Sequence, residues 1–430
     1  MQITLISPAF RERISGGAKS IFPPLNLATV AALTPEGHEV EILDESVEGI
    51  DFNRTPDLVG LTGMTAVAPR AYEIARRFRD RGSTVVMGGI HATACPREVR
   101  HHVDSVVLGE AEGLWPRLVS DLEAGELQPY YFHRERPEAA RIPQPRRDLY
   151  RSSSYLTVNT MQVTRGCPYR CSFCAVSQFF GQSYRFRPLE NVLEEIDSLK
   201  GRLMVFVDDN IIGSPSYARR LFKEMRPLKK RWIGQASINI AEDEKLLDLA
   251  RDSGCVALFI GFESLKEENI AGIGKAGINR VDGYQELISR IHDRGINIEG
   301  AFIFGFEHDD TGVFQRTVDF AIENGLAAAQ FGILTPLPGT KLYRRLMRER
   351  RITDYNWANY SISRVVFEPH CMRSELLQDG FNWAWRKFYS WPSILKRLLQ
   401  APRQLSFFLS LNMSFRRGVL RLPRPRLIPI

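Results

Sequence analysis

Three cysteines carry the clearest chemistry in this sequence: Cys167, Cys171 and Cys174, spaced C-x3-C-x2-C in the stretch 164–176, TRGCPYRCSFCAV. Thiolates this close together can hold one metal centre, and their number narrows the choice of metal. A structural zinc site closes its tetrahedron with a fourth Cys or His, usually as part of a second spaced pair. No such pair follows here. A four-iron cluster normally takes four Cys, so three leave one iron without a protein ligand and open to a small molecule. The competing readings are a zinc knuckle and three unrelated thiols, and the ligand count disfavours both.

At these residues the chain resembles the radical S-adenosylmethionine (SAM) superfamily, whose motif has an aromatic residue just before the third Cys, here Phe173. The resemblance implies a 4Fe–4S cluster whose open iron binds the amino and carboxylate groups of SAM. It also implies that reduction of the cluster releases a 5′-deoxyadenosyl radical.

A cluster loop needs a scaffold, and from Met161 the pattern repeats strand, loop, helix. MQVTRG leads into the cysteines; RLMVFVDDN precedes YARRLFKEMR, RWIGQASI precedes EDEKLLDLARDSG, and VALFIGFES precedes a helix from about 280 to 294. INIEGAFIFGF then precedes TVDFAIENG, and AAAQFGILTPLPGT precedes LYRRLMRER. Six such units, over residues 161–346, predict an open partial version of the (β/α)8 barrel with chemistry at the strand carboxyl ends.

Further matches sit at those ends. Asp208, Asp209 and Asn210 stand where radical SAM enzymes often carry a GGE string that holds the SAM amino group. Gly261-Phe262-Glu263-Ser264 resembles the family's GxES string, whose polar members, here Glu263 and Ser264, face SAM. Gln235 and Ser237 end another strand, with Ser237 in reach of the SAM ribose or carboxylate. Gly305 and residues 335–340 (TPLPGT) resemble late strand ends of the cobalamin-type group. Each alone is also explained as a cap or turn; their phase with successive strands joins them. The run GIGKAG, residues 272–277, has no Ser or Thr after Lys275 and so is not a phosphate-binding P-loop. It is expected to be a loop before a helix.

Residues 1–132 alternate short β-branched runs with helical segments: ITLISP, PLNLATVAAL, HEVEILDE, LVGLTGMT, AYEIARRFRDRG, TVVMGG and SVVLGE. This predicts a doubly wound parallel sheet of Rossmann-like type that binds its ligand at the strand carboxyl edge. The edge loops Pro23-Pro24-Leu25-Asn26, Gly63-Met64-Thr65, Gly88-Gly89-Ile90-His91 and Gly109-Glu110-Ala111-Glu112 resemble the N-terminal domain of cobalamin-binding radical SAM enzymes. The resemblance implies a cobalamin site formed by Met64, Thr65, Gly88, Gly89, His91, Gly109, Glu110 and Glu112. No D-x-H-x-x-G motif is present, so no histidine is marked as lower axial ligand. His91 is either part of a loop near the corrin or an anchor of that loop, and Met64 and Thr65 are expected nearer the lower face.

Residues 133–160 are rich in Pro and Arg and read as a linker, its Arg cluster solvated rather than nucleic-acid-binding. Residues 347–430 form a helical, basic C-terminal segment. The chain of 430 residues carries a net charge of +7, yet from 380 onward there are ten Lys or Arg and no Asp or Glu. The excess positive charge therefore belongs to the tail, and its aromatic and leucine residues interleaved with Arg suggest peripheral contact with the inner face of a membrane. Its longest uncharged run, 404–415, is far short of the roughly 20 residues a span needs. The first residues show no basic region followed by an apolar core, so no signal peptide is expected. Six scattered or clustered cysteines make no disulfide framework, which fits a reducing cytoplasm.

Taken together, the resemblance implies a cobalamin-dependent radical SAM methyltransferase, similar to members that modify isoprenoid, hopanoid or tetrapyrrole substrates, methylating an unactivated carbon of a hydrophobic small molecule. It implies an electron donor such as flavodoxin or ferredoxin, and no nucleic acid. The alternatives are a relative performing cyclisation, ring contraction or carbon–carbon coupling without methyl transfer, and a non-enzymatic iron–sulfur electron-transfer protein. Methylthiolation of tRNA is disfavoured, since the N-terminal region has one cysteine, Cys95, where that family carries three for a second cluster.

Overall fold

The computed structural model describes residues 1–10, 22–181, 183–400 and 405–425, with the side chains of 405–407 excepted. The first layer alternates β1 (Gln2–Ser7), α1 (Leu25–Leu33), β2 (Glu39–Asp44), β3 (Leu58–Thr62), α2 (Ala68–Arg79), β4 (Thr84–Gly88), α3 (Ile90–Ala94), α4 (Pro96–Arg100), β5 (Ser105–Leu108), α5 (Leu114–Glu123) and β6 (Tyr130–Phe132). All six strands are parallel, in the order β2-β1-β3-β4-β5-β6. Their runs are almost wholly apolar because helices cover both faces. On one face Ile3 and Leu5 meet Leu27, Trp115 and Leu118; on the other Ile6 and Val59 meet Ile74, Phe78 and Val99. The chain leaves β1 toward β2 on one side and reaches β3 on the other, so the carboxyl ends of β1 and β3 part and open a crevice.

The segment after β6 is not a loose tether. Tyr150 and Tyr155 are buried in the first domain's core, and the Tyr150 hydroxyl donates to the Pro24 carbonyl at 2.6 Å. Arg147, expected in solvent, reaches the buried Glu195 of the second domain and the Thr160 carbonyl.

The second sheet holds β7 (Thr160–Met161), β10 (Leu203–Phe206), β11 (Arg231–Ala236), β12 (Cys255–Glu263), β13 (Asn297–Phe304) and β14 (Ala328–Ile333), all parallel and in chain order. Between β7 and β10 a small antiparallel pair, β8 (Thr164–Arg165) and β9 (Arg185–Phe186), brackets the cysteine loop and α6 (Val176–Phe179). Sequence alternation does not signal so short a pair. The remaining helices are α7 (Leu189–Ser198), α8 (Pro215–Met225), α9 (Glu244–Asp252), α10 (Glu267–Gly272), α11 (Tyr284–Asp293), α12 (Val313–Glu323) and α13 (Lys341–Arg348). Trp232 stacks on Phe222 of α8, which places the even-numbered residues of β11 toward the helices and Arg231, Ile233 and Gln235 toward the barrel interior.

The tail forms α14 (Ser374–Phe388), α15 (Trp391–Leu398) and α16 (Leu405–Val419). Its charge is less solvated than composition suggests. Arg397 is wholly buried, donating to the carbonyls of Leu326, Ala327 and Phe388 and to Asn412, while Arg416 bonds the Tyr389 carbonyl and lies over Trp391. Arg403 and Arg426 lie outside the described residues. Among the described residues no helix is long and apolar enough to cross a membrane.

Candidate functional site

The cysteine loop is held at its root by Asp208. This wholly buried carboxylate accepts from the backbone N–H of Val163 at 3.0 Å, from that of Thr164, and from the Thr164 hydroxyl at 2.6 Å. Burial pushes Asp208 up to about 7. It therefore braces the loop, in place of the SAM-facing position expected for it. Gly166 follows with φ +86°, where a Cβ would run into the Ser183 carbonyl oxygen. Farther along, Ser172 N–H donates to the Ile273 carbonyl at 3.1 Å and Leu342 N–H donates to the Ser172 carbonyl at 2.9 Å. The three thiols are partly exposed and Phe173 packs against the barrel core. Burial pushes Cys167 up to about 11 and Cys174 to about 12; Cys171 is also raised, against an opposing pull from the Lys275 ammonium. Thiols so placed ionise when a metal supplies the positive charge.

Next to Asp208, Asp209 has a buried carboxylate oxygen, Oδ2, with no hydrogen-bond partner among the described residues, and burial pushes the group up to about 6. Its charge is felt at Cys167 and Cys174. Asn210 and Ser237 clasp one another across adjacent strand ends, Nδ2 to Oγ and N–H to Oδ1 both at 3.2 Å. Gln235 is exposed between buried Gly234 and Ala236.

At the end of β12 the chain takes a left-handed turn at Glu263, φ +66°. Lys275, which is 7% exposed, donates to Glu263 Oε1 at 2.8 Å and to the Gly261 carbonyl at 2.9 Å. Asn279 and Tyr284 bind the neighbouring carbonyls of Gly261 and Phe262. A buried ion pair beside the thiols thus comes from the GIGKAG run, which the sequence reading set aside. The available signal was a lone lysine flanked by small residues after a strand-end carboxylate. Ser264 faces elsewhere, its Oγ accepting from Asn269 Nδ2 and Lys266 N–H at 3.1 Å. Sequence reasoning also missed Glu299 of β13, in register with Phe259 and through it with Gln235. Glu299 accepts from Gln330 at 2.7 Å, and burial raises its carboxyl.

At the first sheet's carboxyl edge lies a cavity of about 350 Å³, floored by Leu5, Gly60, Val86 and Val107 and walled by Trp115. It opens through Pro23, Pro24 and Asn26 toward Phe179 and Phe180 of the cluster segment. A second cavity of about 500 Å³ shares those five residues and adds Met64. Gly60 lines this first cavity and is closely packed: a Cβ there would lie 2.7 Å from Leu5 Cδ2 and 3.2 Å from the Trp115 ring. Gly88 lines the slot, and Gly89, at φ +94°, presses against Thr62 with room for no side chain. Gly109 turns at φ +77° and donates its N–H to the Thr93 hydroxyl.

Four residues expected at the corrin have protein partners of their own. Thr65 is buried with its hydroxyl 3.4 Å from His91 Nδ1, and the wholly buried His91 ring holds the Tyr72 hydroxyl at 2.8 Å. The same network continues through Glu98 to Trp357. His91 anchors its loop. Glu110 and Glu112 line the slot but bind Arg165, at 2.7 and 2.6 Å, and Glu110 also binds Arg185. Because Arg165 lies two residues before Cys167, this buried cluster latches the first sheet's edge to the root of the cysteine loop. Met64, by contrast, is 62% exposed beside the larger cavity.

Comparison with known proteins agrees with this arrangement. A model of the radical SAM superfamily matches residues 161–321, and a model of the B12 binding domain matches residues 14–119. Bacteriochlorophyllide d C-12(1)-methyltransferase of Chlorobaculum tepidum is 31% identical over 423 residues, covering 95% of this chain and 92% of the relative. The chain belongs to the cobalamin-dependent radical SAM methyltransferases. Bacteriochlorophyllide d C-8(2)-methyltransferase of the same organism is 31% identical, covering 88% of each chain. In fold the chain is similar to the cobalamin-dependent SAM radical enzyme OxsB with aqua-cobalamin bound, with a TM-score of 0.71, 16% identity and coverage of 97% of this chain and 72% of the other. The cofactors of this methyltransferase family are a 4Fe–4S cluster, SAM and cobalamin, and the residues present fit them. Three thiols converge on one loop, Asp209 Oδ2 lacks a partner among the described residues, and Gly60, Gly88 and Gly89 line the slot without side chains.

Proposed function

We propose that this enzyme methylates an unactivated carbon of a flat, hydrophobic tetrapyrrole-like substrate, with the reaction set between the barrel mouth and the first sheet's edge. The observation that carries the reading is that Phe179 and Phe180, which follow Cys174 by a few residues, line both cavities at the first sheet's carboxyl edge and so bring the cysteine segment against them. When loaded, the cluster supplies the electron that cleaves SAM and the cobalamin carries the methyl group to be transferred. The chain does the positioning. Cys167, Cys171 and Cys174 hold the cluster; Asp209, with its unpartnered oxygen, receives the SAM ammonium; Gln235, the Asn210–Ser237 clasp and the Lys275–Glu263 pair line the remaining SAM positions. Gly88, Gly89 and Gly109 let the corrin approach the backbone closely, with Met64 at its rim and the apolar slot taking its tail.

The substrate class is supported by near full-length similarity to the two bacteriochlorophyllide methyltransferases. Anaerobic turnover of a bacteriochlorophyllide with methyl-labelled SAM tests it. One labelled methyl in the chlorin is expected; deoxyadenosine without label in any tetrapyrrole would move the protein to the cyclising or coupling alternative. Reduction requires an external electron donor. Peripheral contact with an anionic membrane is supported by Trp391, Leu395 and Leu399, which are exposed at i, i+4, i+8 beside Lys396. Sedimentation with phosphatidylglycerol vesicles, lost in Leu395→Ser/Leu399→Ser, is the expected result.

A further inference from the structure

We infer that the outer face of the cysteine loop, together with α13, is the docking surface for a small acidic one-electron carrier protein. The inference rests on the assignment of a reducible cluster to Cys167, Cys171 and Cys174.

Helix α13 is stitched to that loop. Its Leu342 N–H donates to the Ser172 carbonyl at 2.9 Å, and Ser172 lies next to Cys171, so one hydrogen bond and one peptide unit connect the helix to a cluster thiol. The helix turns Leu342 and Leu346 into the core. Lys341, Arg344, Arg345 and Arg348, spaced i, i+3, i+4, i+7, share another face. Lys341, Arg344 and Arg348 are exposed, as is Arg170 on the cysteine loop itself. Among the described residues none of these four has a carboxylate within ion-pair distance; Arg344 donates to the Gly339 carbonyl and Arg348 to that of Arg344.

The neighbouring carboxylates do not neutralise the patch. Glu307 and Glu349 are both engaged by Arg345 and Arg351, which leaves the free cations uncompensated, and Glu268 borders a hollow of about 150 Å³ beside Ser172. The first 379 residues carry more acidic than basic side chains, so a concentration of unpaired cations beside the cluster loop is a local feature. Such a patch steers an acidic partner to one orientation and raises its association rate. In the step itself one electron leaves the reduced carrier and enters the oxidised cluster, and no bond is formed or broken.

The test uses enzyme loaded with its cluster, mixed anaerobically with fully reduced flavodoxin, with bleaching of the cluster absorbance followed by stopped flow. The triple variant Lys341→Glu/Arg344→Glu/Arg348→Glu is expected to slow reduction by flavodoxin about tenfold at low salt and to weaken calorimetric binding of oxidised flavodoxin. The wild-type rate is expected to fall steeply toward about 0.5 M salt. Reduction by photoexcited deazariboflavin, which is small and uncharged, and SAM cleavage driven by it should be the same in both proteins. A triple variant reduced by flavodoxin at the wild-type rate would overturn the proposal. So would equal slowing by both reductants, since the charges would then act on the cluster and not on docking. Wild-type enzyme that fails to cleave SAM even with deazariboflavin would instead remove the functional assignment, and the docking surface with it.

Discussion

At the first sheet's carboxyl edge Gly60, Gly88, Gly89 and Gly109 offer backbone and space, and the ionisable residues nearby, Glu110, Glu112 and His91, are occupied by protein partners. At the second sheet's edge the strand ends carry three thiols, an unpartnered aspartate and a buried Lys275–Glu263 pair. Both edges sit where parallel sheets bind ligands. The difference follows from what each must hold. A corrin is large and flat, and is recognised by the absence of side chains; a cluster and a zwitterion are compact and charged, and need particular atoms at particular places.

The comparison predicts where single changes matter most. Replacing Cys167, Cys171 and Cys174 with Ala should abolish cluster absorbance and SAM cleavage together while leaving corrin uptake in place, measured by the two cofactors' separate spectra after reconstitution. On the other edge, Gly60→Ala places a Cβ 2.7 Å from Leu5 Cδ2 and should lower corrin affinity at least about tenfold with cluster content unchanged, since overpacking a fitted slot costs about 1–3 kcal/mol. Equal loss of both cofactors would show that the edges do not act separately.

Lys275→Met leaves Glu263 buried without its cation, which should destabilise the barrel by about 3 kcal/mol in denaturant unfolding. The double variant with Glu263→Gln should recover much of that stability while SAM binding remains weak. A double variant as unstable as the single one would contradict a paired role. Smaller still, Arg165→Lys keeps the charge at the interdomain latch but loses the two-pronged contact with Glu110 and Glu112. SAM should still be cleaved, while the ratio of deoxyadenosine to methylated product rises by a few-fold. An unchanged ratio would show that the latch does not set the spacing of the two edges.

Much of this was legible in the sequence because it is local. The cysteine spacing, the six strand–helix units and the glycine edge loops are contiguous patterns, and the six parallel strands of the second sheet fall in chain order. The contacts that were not legible share a cause: the partners are distant in sequence. Glu110 and Glu112 meet Arg165 across more than fifty positions, and Asp208 meets Thr164 across 44. Lys275 was passed over because its run was compared with a phosphate loop, while the contact that gives it meaning is made twelve residues earlier, at Glu263. Arg397 looks solvated in a basic tail, yet backbone carbonyls and Asn412 satisfy it in the core.

The claim that the first edge holds its corrin through backbone and space, with no side chain at cobalt, is tested most directly by electron paramagnetic resonance of cob(II)alamin bound to the enzyme. The account predicts a base-off spectrum without nitrogen splitting, because His91 is buried in its contact with Tyr72 and, among the described residues, none that lines the slot is a histidine. The same spectrum should be given by His91→Ala protein that retains corrin. A nitrogen splitting in the wild type that disappears in His91→Ala would contradict it.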